Sequence, residues 1–506
     1  MRRALLAAWT CAAGWACTAQ GNDLAAELNG IAEAHGLMGM SVVAVCQGQT
    51  AAIHHTGLQN WATATPVDNA TKFRIASVSK AITATAMMRL HDAGLFGWGD
   101  DVSAVLGYEV RNPQHPDVPI TIDMLLSHTS SLQDGSGYAD FLSETYASSD
   151  LPSIAELLVP GGSAYTSNMW RTEPPGTHFA YANVNFGLLA TVMEALTGQR
   201  FDVLMRDWLF DPMGLSCSYN VSDLADADDL ATLYRNIGGT WTAQADDLQG
   251  VLPQPIDLPG YVPGTNGLRF APQGGLRASA LDLAALMNLH VNNGAFLGEE
   301  LISPETMAAM RTTMHTNNGA NGDDYYGLFQ SWGRGLHRAS TTETDQVFPN
   351  TGEMWGHPGE AYGLISDWYY DAETGNGVIF LTNGAWNGYS FGNQTSFYTV
   401  EEQVFAAVES HLANSCTARL PARSSFAQIT PYPNPAADQL HLTLPVPAEC
   451  EIRDLQGRSL CPPSHFDVAG PITLDLTGLT DGPLLLVIRR LDGTGLATLP
   501  ILHLPQ

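Results

Sequence analysis

The sequence predicts an α+β body, a mixed sheet flanked by helices with a helical lobe beside it, followed by a small C-terminal β-sandwich. Three observations predict it. Strand-type runs gather near both ends of the first 413 residues, with helix and loop between them. No alternating strand–helix rhythm points to a doubly wound parallel sheet. Composition also shifts after Cys416. A chain of 506 residues, 45% hydrophobic, is long enough for a large domain plus an appendage and too apolar for disorder throughout.

The elements follow in order. Arg2 and Arg3 precede a largely apolar stretch, Ala4 to Ala16, too short to span a membrane, and Cys17-Thr18-Ala19 offers small residues for cleavage before Gln20. Residues 1–19 are therefore expected to be a secretory signal; a lipidated Cys17 is the alternative, although the usual Leu before it is missing. No later apolar run reaches transmembrane length. Asp23 to His35 has helical periodicity through Leu24, Leu28 and Ile31, and Ser41 to Cys46 and Ala51 to His55 read as strands. Ser77 to Ala93 is helical with Gly94 as its stop. Helix and loop rich in Pro, Gly and Asp run from about Asp100 to Met287. Strands return at Gly363–Tyr370 and Val378–Leu381 around a turn at Gly375–Gly377, and an amphipathic helix, Thr399 to Leu412, closes the body. Thr417 to Thr430 reads as a linker, giving a body over 24–413, a linker over 414–430 and a C-terminal domain over 431–506. In that domain Leu440, Leu442 and Leu444 alternate, as do Ile472 and Leu474, between prolines and glycines.

A formal net charge of −29 repels nucleic acid and anionic lipid, and no basic patch offsets it. Only two of the 22 basic residues are lysines, Lys72 and Lys80. Where arginine has replaced lysine as the routine cation, a surviving lysine points to a task arginine cannot do, such as releasing a proton. Outside the signal, Cys46, Cys217, Cys416, Cys450 and Cys461 show no metal-type spacing, and Cys450 with Cys461 is the shortest loop a disulfide would close.

Three motifs carry chemistry. In Ser77-Val-Ser-Lys80, at a loop-to-helix junction, the i and i+3 side chains share a face, so the ammonium meets the hydroxyl. Burial would lower the lysine pKa and let it act as base, and the helix N-terminus supplies N–H groups for an oxyanion. In Tyr181-Ala-Asn183, a tyrosine eased toward ionisation by the lysine could share the base role and protonate the leaving group, while Asn183 could hold both the lysine and a substrate carbonyl. In Trp355-Gly-His-Pro-Gly359, leading into a strand, Gly359 allows close passage of a substrate, and His357 could bond a substrate carboxylate or the tyrosine.

In order and rough spacing these motifs resemble the class C β-lactamase-like serine hydrolases, the penicillin-recognising family of D-alanyl-D-alanine carboxypeptidases, D-amino peptidases, esterases and β-lactamases. Phe73–Ala76, Ile122–Thr129, Gly274–Ser279 and Asp282-Leu283 extend the likeness over about residues 24–413. The resemblance implies the β-lactamase/transpeptidase-like fold and an acyl-enzyme on Ser77, with Lys80 and Tyr181 as the proton-transfer pair. It also implies Asn183, His357, Gly359 and Glu360 at the substrate, the N–H groups of Ser77 and Glu360 forming the oxyanion hole. It calls for no metal or cofactor. Ser131 stands where the family usually has Gly, and His357 where true β-lactamases have Lys. That histidine is commoner among the peptidases and esterases and shifts the expected substrate away from antibiotics, toward a small molecule or short peptide.

The tail is similar to the type A C-terminal sorting domain of type IX secretion, through Tyr432-Pro-Asn-Pro435, Asp438, Asp454–Arg458, Leu474–Leu479 and Asp481-Gly482. This implies a Bacteroidetes-type source, the secretion machinery as partner, a secreted or cell-surface destination and removal of the tail; the usual basic end is missing. A generic C-terminal binding module is the other reading. Gly388-Tyr-Ser-Phe-Gly392 matches a nucleophile elbow, but the acid and histidine of an α/β-hydrolase do not follow it. Asp223–Asp229 lacks the Gly of a calcium loop, and His54 and His55 face opposite sides of a strand. The rival to an enzyme is a non-catalytic binding protein of the same fold.

Overall fold

The computed structural model describes residues 24–147, 150–256 and 258–416, and, within 438–503, all but 445–446, 454–458, 469, 480–481 and 491–494. The expected signal, nearly all of the linker, and the tail motifs at 432–435, 454–458 and 481 lie outside the described residues. No helix among the described residues is long and apolar enough to cross a membrane.

Helix α1 (Leu24–His35) leads into β1 (Gly39–Cys46), β2 (Gln49–Asn60) and β3 (Thr65–Pro66). Six more strands come late: β4 (His315–Thr316), β5 (Ser331–Trp332), β6 (His337–Ala339), β7 (Met354–Ala361), β8 (Leu364–Tyr370) and β9 (Gly377–Thr382). Together they form one sheet in the order β4-β5-β6-β7-β8-β9-β1-β2-β3, so β1 joins the late strands through β9. The α+β class and the joining of the two ends are as the sequence predicts. The sheet is antiparallel rather than mixed across β9–β1, β1–β2, β7–β8 and β8–β9, because hairpins join the last three of these pairs and none of the four is made through a crossover helix that returns a strand in parallel.

Alternation along the strands sorts the core into two layers. Val43, Val45, Trp368, Tyr370, Ile379 and Leu381 pack toward α2 (Val78–Asp92), α4 (Ala280–Val291) and the helical lobe that contains α3 (Asn183–Thr197). Met40, Val42, Ala44, Tyr369, Val378 and Phe380 pack toward α1 and the last helix of the body, α5 (Thr399–Ser415). Both faces are covered, which is why these strands read as unbroken apolar runs; each buried large side chain contributes roughly 1.5–3 kcal/mol. The lobe also holds a hairpin, Leu233–Ile237 with Thr240–Ala245, where only helix and loop are expected.

Cys46 shares the α1/α5 face and is bridged to Cys416, with Cα atoms 5.9 Å apart. Cys217, Cys450 and Cys461 are free thiols, so the short Cys450–Cys461 pairing is not made. Docking of α5 against β1 decides the partner, not loop length, and it carries the body past the expected boundary at residue 413. In the tail, β10 (Gln439–Leu444) pairs with β13 (Gly470–Asp475), while β11 (Ala448–Arg453), β12 (Ser464–Phe466), β14 (Gly482–Arg490) and β15 (Gly495–His503) form a second sheet. Leu440, Leu442, Leu444 and Leu474 enter its own core, as their alternation predicts.

On the α5 face the carboxyls of Asp367 and Glu401 are both buried and hydrogen-bond each other, which requires a shared proton. Burial pushes Glu401 up to about 7 and Asp367 well above its usual range. The folded pair thus keeps a proton that unfolded carboxyls, titrating near ~4, release. The part of this stabilisation that Glu401 carries is complete at low pH and is lost as pH rises through about 7, while Asp367 keeps its proton higher. Scanning calorimetry should show the melting temperature falling between about pH 5 and about pH 8, and Glu401→Gln should flatten that fall. An identical slope in the variant would refute the shared proton.

Candidate active site

Ser77 sits at the first turn of α2, and the chain enters that turn under constraint. Ala76 has φ +43°, a left-handed conformation rarely adopted by a residue with a Cβ. Short-strand pairing of Phe73–Arg74 with Arg277–Ala278 holds the approach, as do two bonds at Ile75, whose carbonyl accepts from Ser366 Oγ (2.9 Å) and whose N–H donates to the Leu276 carbonyl (3.1 Å). The Ser79 hydroxyl accepts from Leu276 N, which pins the turn from inside. Strand β7 passes alongside: a Cβ at Gly359 would lie 3.0 Å from Ser77 N and 2.8 Å from Ile75 O. Only glycine permits that approach.

Lys80, one turn along α2, is fully buried, and its ammonium has three oxygen acceptors: Ser77 Oγ at 3.0 Å, Asn183 Oδ1 at 2.8 Å and the Gln273 carbonyl at 2.9 Å. Burial lowers its pKa to about 7 against an upward pull from Asp134, so about half is free amine at neutral pH. Asp134 is not among the residues the motifs pick out, yet it organises this end of the site. It accepts from Asn183 N (3.0 Å), Asn183 Nδ2 (2.8 Å) and Val184 N (2.9 Å). One carboxylate thus caps α3 and turns the Asn183 amide so that its oxygen faces the lysine. An aspartate three residues after Ser131 gives no helix-cap signal, because the helix it caps begins at residue 183.

Tyr181 is hydrogen-bonded to Ser77, and its ring face lies 4.8 Å from Lys80 Nζ. Burial pushes its phenol well up, against the easing toward ionisation that a nearby lysine is expected to give, and the ammonium faces the ring.

His357 also differs from expectation. It is fully buried behind Tyr181, ring centroids 5.9 Å apart, with Nδ1 2.6 Å from the Pro358 carbonyl and Nε2 without a partner. Burial, then the Lys80 charge, holds the imidazole well below its usual range, so it is neutral, and its ring makes no hydrogen bond to Tyr181. Alternation along β7 turns Glu360 to the α5 face, where its carboxylate accepts from Tyr398 Oη at 2.7 Å; only its main chain follows the path past Ser77.

The supporting segments prove structural. His128 Nδ1 accepts from Ala182 N (3.3 Å) and Asn185 Nδ2 (3.0 Å), backing the tyrosine–asparagine loop. Ser131 has φ +69°, which explains glycine as the usual occupant; its hydroxyl offsets the strain by bonding the Glu173 carbonyl at 2.9 Å. Lys72 is in a buried ion pair with Asp282 (2.7 Å), inside the Ser279–Asp282 capping box of α4. Ser390 lies on a loop, its carbonyl taken by Thr399, with no strand–turn–helix elbow around it.

With lysine, tyrosine and asparagine converging on one helix-borne serine beside an antiparallel strand, the molecule falls in the β-lactamase-like class of α+β proteins. It belongs to the Beta-lactamase family, whose model matches residues 22–391. Penicillin-binding protein 4 of Amycolatopsis lactamdurans is 28% identical over 348 residues, covering 68% of this chain and 78% of that relative. A D-aminopeptidase of Cereibacter sphaeroides is 24% identical over 250 residues, 48% of this chain but only 40% of its own length. Among solved structures, EstCE1, a hydrolase with promiscuous acyltransferase activity, aligns with TM-score 0.56 and 24% identity over 76% of this chain and 98% of its own. The D-amino acid amidase of Ochrobactrum anthropi aligns with TM-score 0.57 and 18% identity over 78% and 99%. These last two likenesses concern the fold.

Asp134→Asn removes the charge that holds the Lys80 pKa up. The acidic limb of the pH profile for fluorophosphonate labelling should move to lower pH, and the rate should fall roughly tenfold to a hundredfold as Asn183 loses its fixed orientation. An unmoved limb would show that Asp134 does not act on the lysine.

Proposed function

We propose that this protein is an exported serine hydrolase that cleaves an amide or ester through an acyl-enzyme on Ser77, as a D-amino-acid peptidase, a carboxypeptidase or an esterase. The observation that carries this reading is the Lys80 ammonium, desolvated to a pKa of about 7 and 3.0 Å from Ser77 Oγ. The neutral amine takes the hydroxyl proton as Oγ attacks the substrate carbonyl. The oxyanion is met by the N–H groups of Ser77 and Glu360, which the family resemblance assigns. Asn183 uses one Nδ2 hydrogen on Asp134 and has the other for the substrate carbonyl. The leaving amine or alcohol takes a proton from Tyr181, which Lys80 restores, and water then releases the acyl group by the reverse path.

The named relatives support this range, since they include a penicillin-binding protein and a D-aminopeptidase, with a D-amino acid amidase and a hydrolase with promiscuous acyltransferase activity among the fold neighbours. Neutral His357 in place of a lysine supports peptidase or ester substrates over β-lactams. Export, and sorting by the C-terminal domain through type IX machinery to the exterior or cell surface, completes the proposal. The Cys46–Cys416 bridge supports an oxidising destination.

Intact mass after fluorophosphonate treatment tests the nucleophile on the full chain. One adduct is expected, absent in Ser77→Ala and present in Ser390→Ala. A folded protein with no adduct would support the non-catalytic rival. D-alanine release from short peptides would support the peptidase arm, and turnover of short-chain esters alone would remove it.

A further inference from the structure

Exposed aromatic rings stand in line from the catalytic tyrosine outward. The Tyr325 ring lies 5.8 Å from Tyr181, Tyr326 6.0 Å from Tyr325, Phe391 6.5 Å from Tyr326 and Tyr398 6.1 Å from Phe391. Tyr326 is 83% exposed, Phe391 69% and Tyr325 52%. Single exposed rings are ordinary, but a connected row leading away from a reactive serine is not. Tyr325 and Tyr326 have φ +53° and +63°, a conformation that suits Gly or Asn and strains a bulky residue. Folding alone would be better served by smaller side chains at both positions.

The two loops that carry the row are tied together before any ligand arrives. Ser396 Oγ donates to the Tyr326 carbonyl, and Thr344 Oγ1 to that of Gly327, each at 2.8 Å. Glu402 on α5 accepts from the main-chain N–H groups of Asn393 (3.0 Å), Gln394 (3.0 Å) and Thr395 (2.6 Å). Rings held this way lose little freedom on binding.

The charges nearby are negative. Glu360 is bonded to Tyr398 Oη, and Glu360 and Asp134 act on Tyr325. Arg171, which reaches the same loop at Asp323, is paired there and with Glu173. Arg235 acts on Tyr389, at the far end beyond Tyr398. Aromatic faces carry negative potential, and beside carboxylates they bind alkylammonium groups. We propose that this row is a subsite for an organic cation on the substrate, placed several bonds from the scissile carbonyl. An amine on the atom next to that carbonyl cannot reach it, since Tyr326 lies two ring-to-ring steps beyond Tyr181. The inference rests on the serine-hydrolase reading and names a substrate class for it.

Two esters identical except for a terminal trimethylammonium or its neutral tert-butyl isostere test the subsite on the full chain. The cationic ester should have a kcat/KM about two- to fivefold higher, as a cation on exposed rings gains. Tyr326→Ala or Phe391→Ala should bring the two to parity by lowering kcat/KM for the cationic ester more than for the neutral one. Equal rates in the unmodified protein, a preference that survives both substitutions, or a stronger preference for a neutral phenyl terminus would overturn it. Should neither ester turn over, the hydrolase reading fails separately. Calorimetric titration with tetramethylammonium then decides the subsite: saturable binding abolished by Tyr326→Ala supports it, and no binding overturns it.

Discussion

The site depends on a single desolvated ammonium. Lys80 lies where water cannot reach it, and every partner around it answers that condition. Three oxygens satisfy its protons, and the Tyr181 and Phe186 rings present their faces at 4.8 and 5.9 Å. Asp134 supplies the nearby opposite charge without touching it. Too little compensation would leave the lysine permanently neutral and the fold carrying an orphaned buried group; too much would return it to an ordinary ammonium that never gives up its proton. The carboxylate held one amide away, across Asn183, sets the balance between those limits. Because Asp134 also caps α3, the charge tuning the base cannot shift without loosening the helix that presents Asn183.

Much of this was legible in the sequence because it is local. Ser77 and Lys80 are one helical turn apart, so their meeting needs no knowledge of the tertiary fold. Gly359 marks a close approach of chains, and the alternation in β1, β8 and β9 sorts the two layers once both faces are known to be covered. What stayed hidden is set by elements distant in sequence. Asp134 caps a helix some fifty residues downstream; the Gln273 carbonyl has no side-chain signature; and Cys46 finds Cys416 only because α5 docks on β1. The protonation of Tyr181 is hidden for a related reason: the nearby lysine is apparent, but which part of the ring it meets depends on how the loop after Phe179 is seated against His128. The burial that keeps His357 neutral comes from the surrounding fold and has no local signature either.

Several strained residues lie around the Ser77 site. Ala76 before Ser77, Ser131 in the turn behind the tyrosine loop, and Tyr325, Tyr326 and Tyr362 at the mouth all have left-handed backbone without being glycine. At Ser131 the side chain bonds its surroundings and offsets the cost. At Tyr362 the ring receives the Arg74 guanidinium at 4.9 Å, so it too is held by a contact of its own. Tyr326 and Phe391 face solvent, and their presence is the part of the structure that stability does not account for.

The bridge between Cys46 and Cys416 makes the body a covalent circle, joining its first strand to the end of its last helix across 370 residues of sequence. It cannot close until that helix has been synthesised and laid against the sheet, so the clasp records that assembly has finished. Once it is shut, a protease that nicks any loop inside the circle releases no fragment. Ser77, Lys80, Tyr181 and Asn183 remain on one tethered chain, and a cut after residue 416 leaves the covalent ring closed.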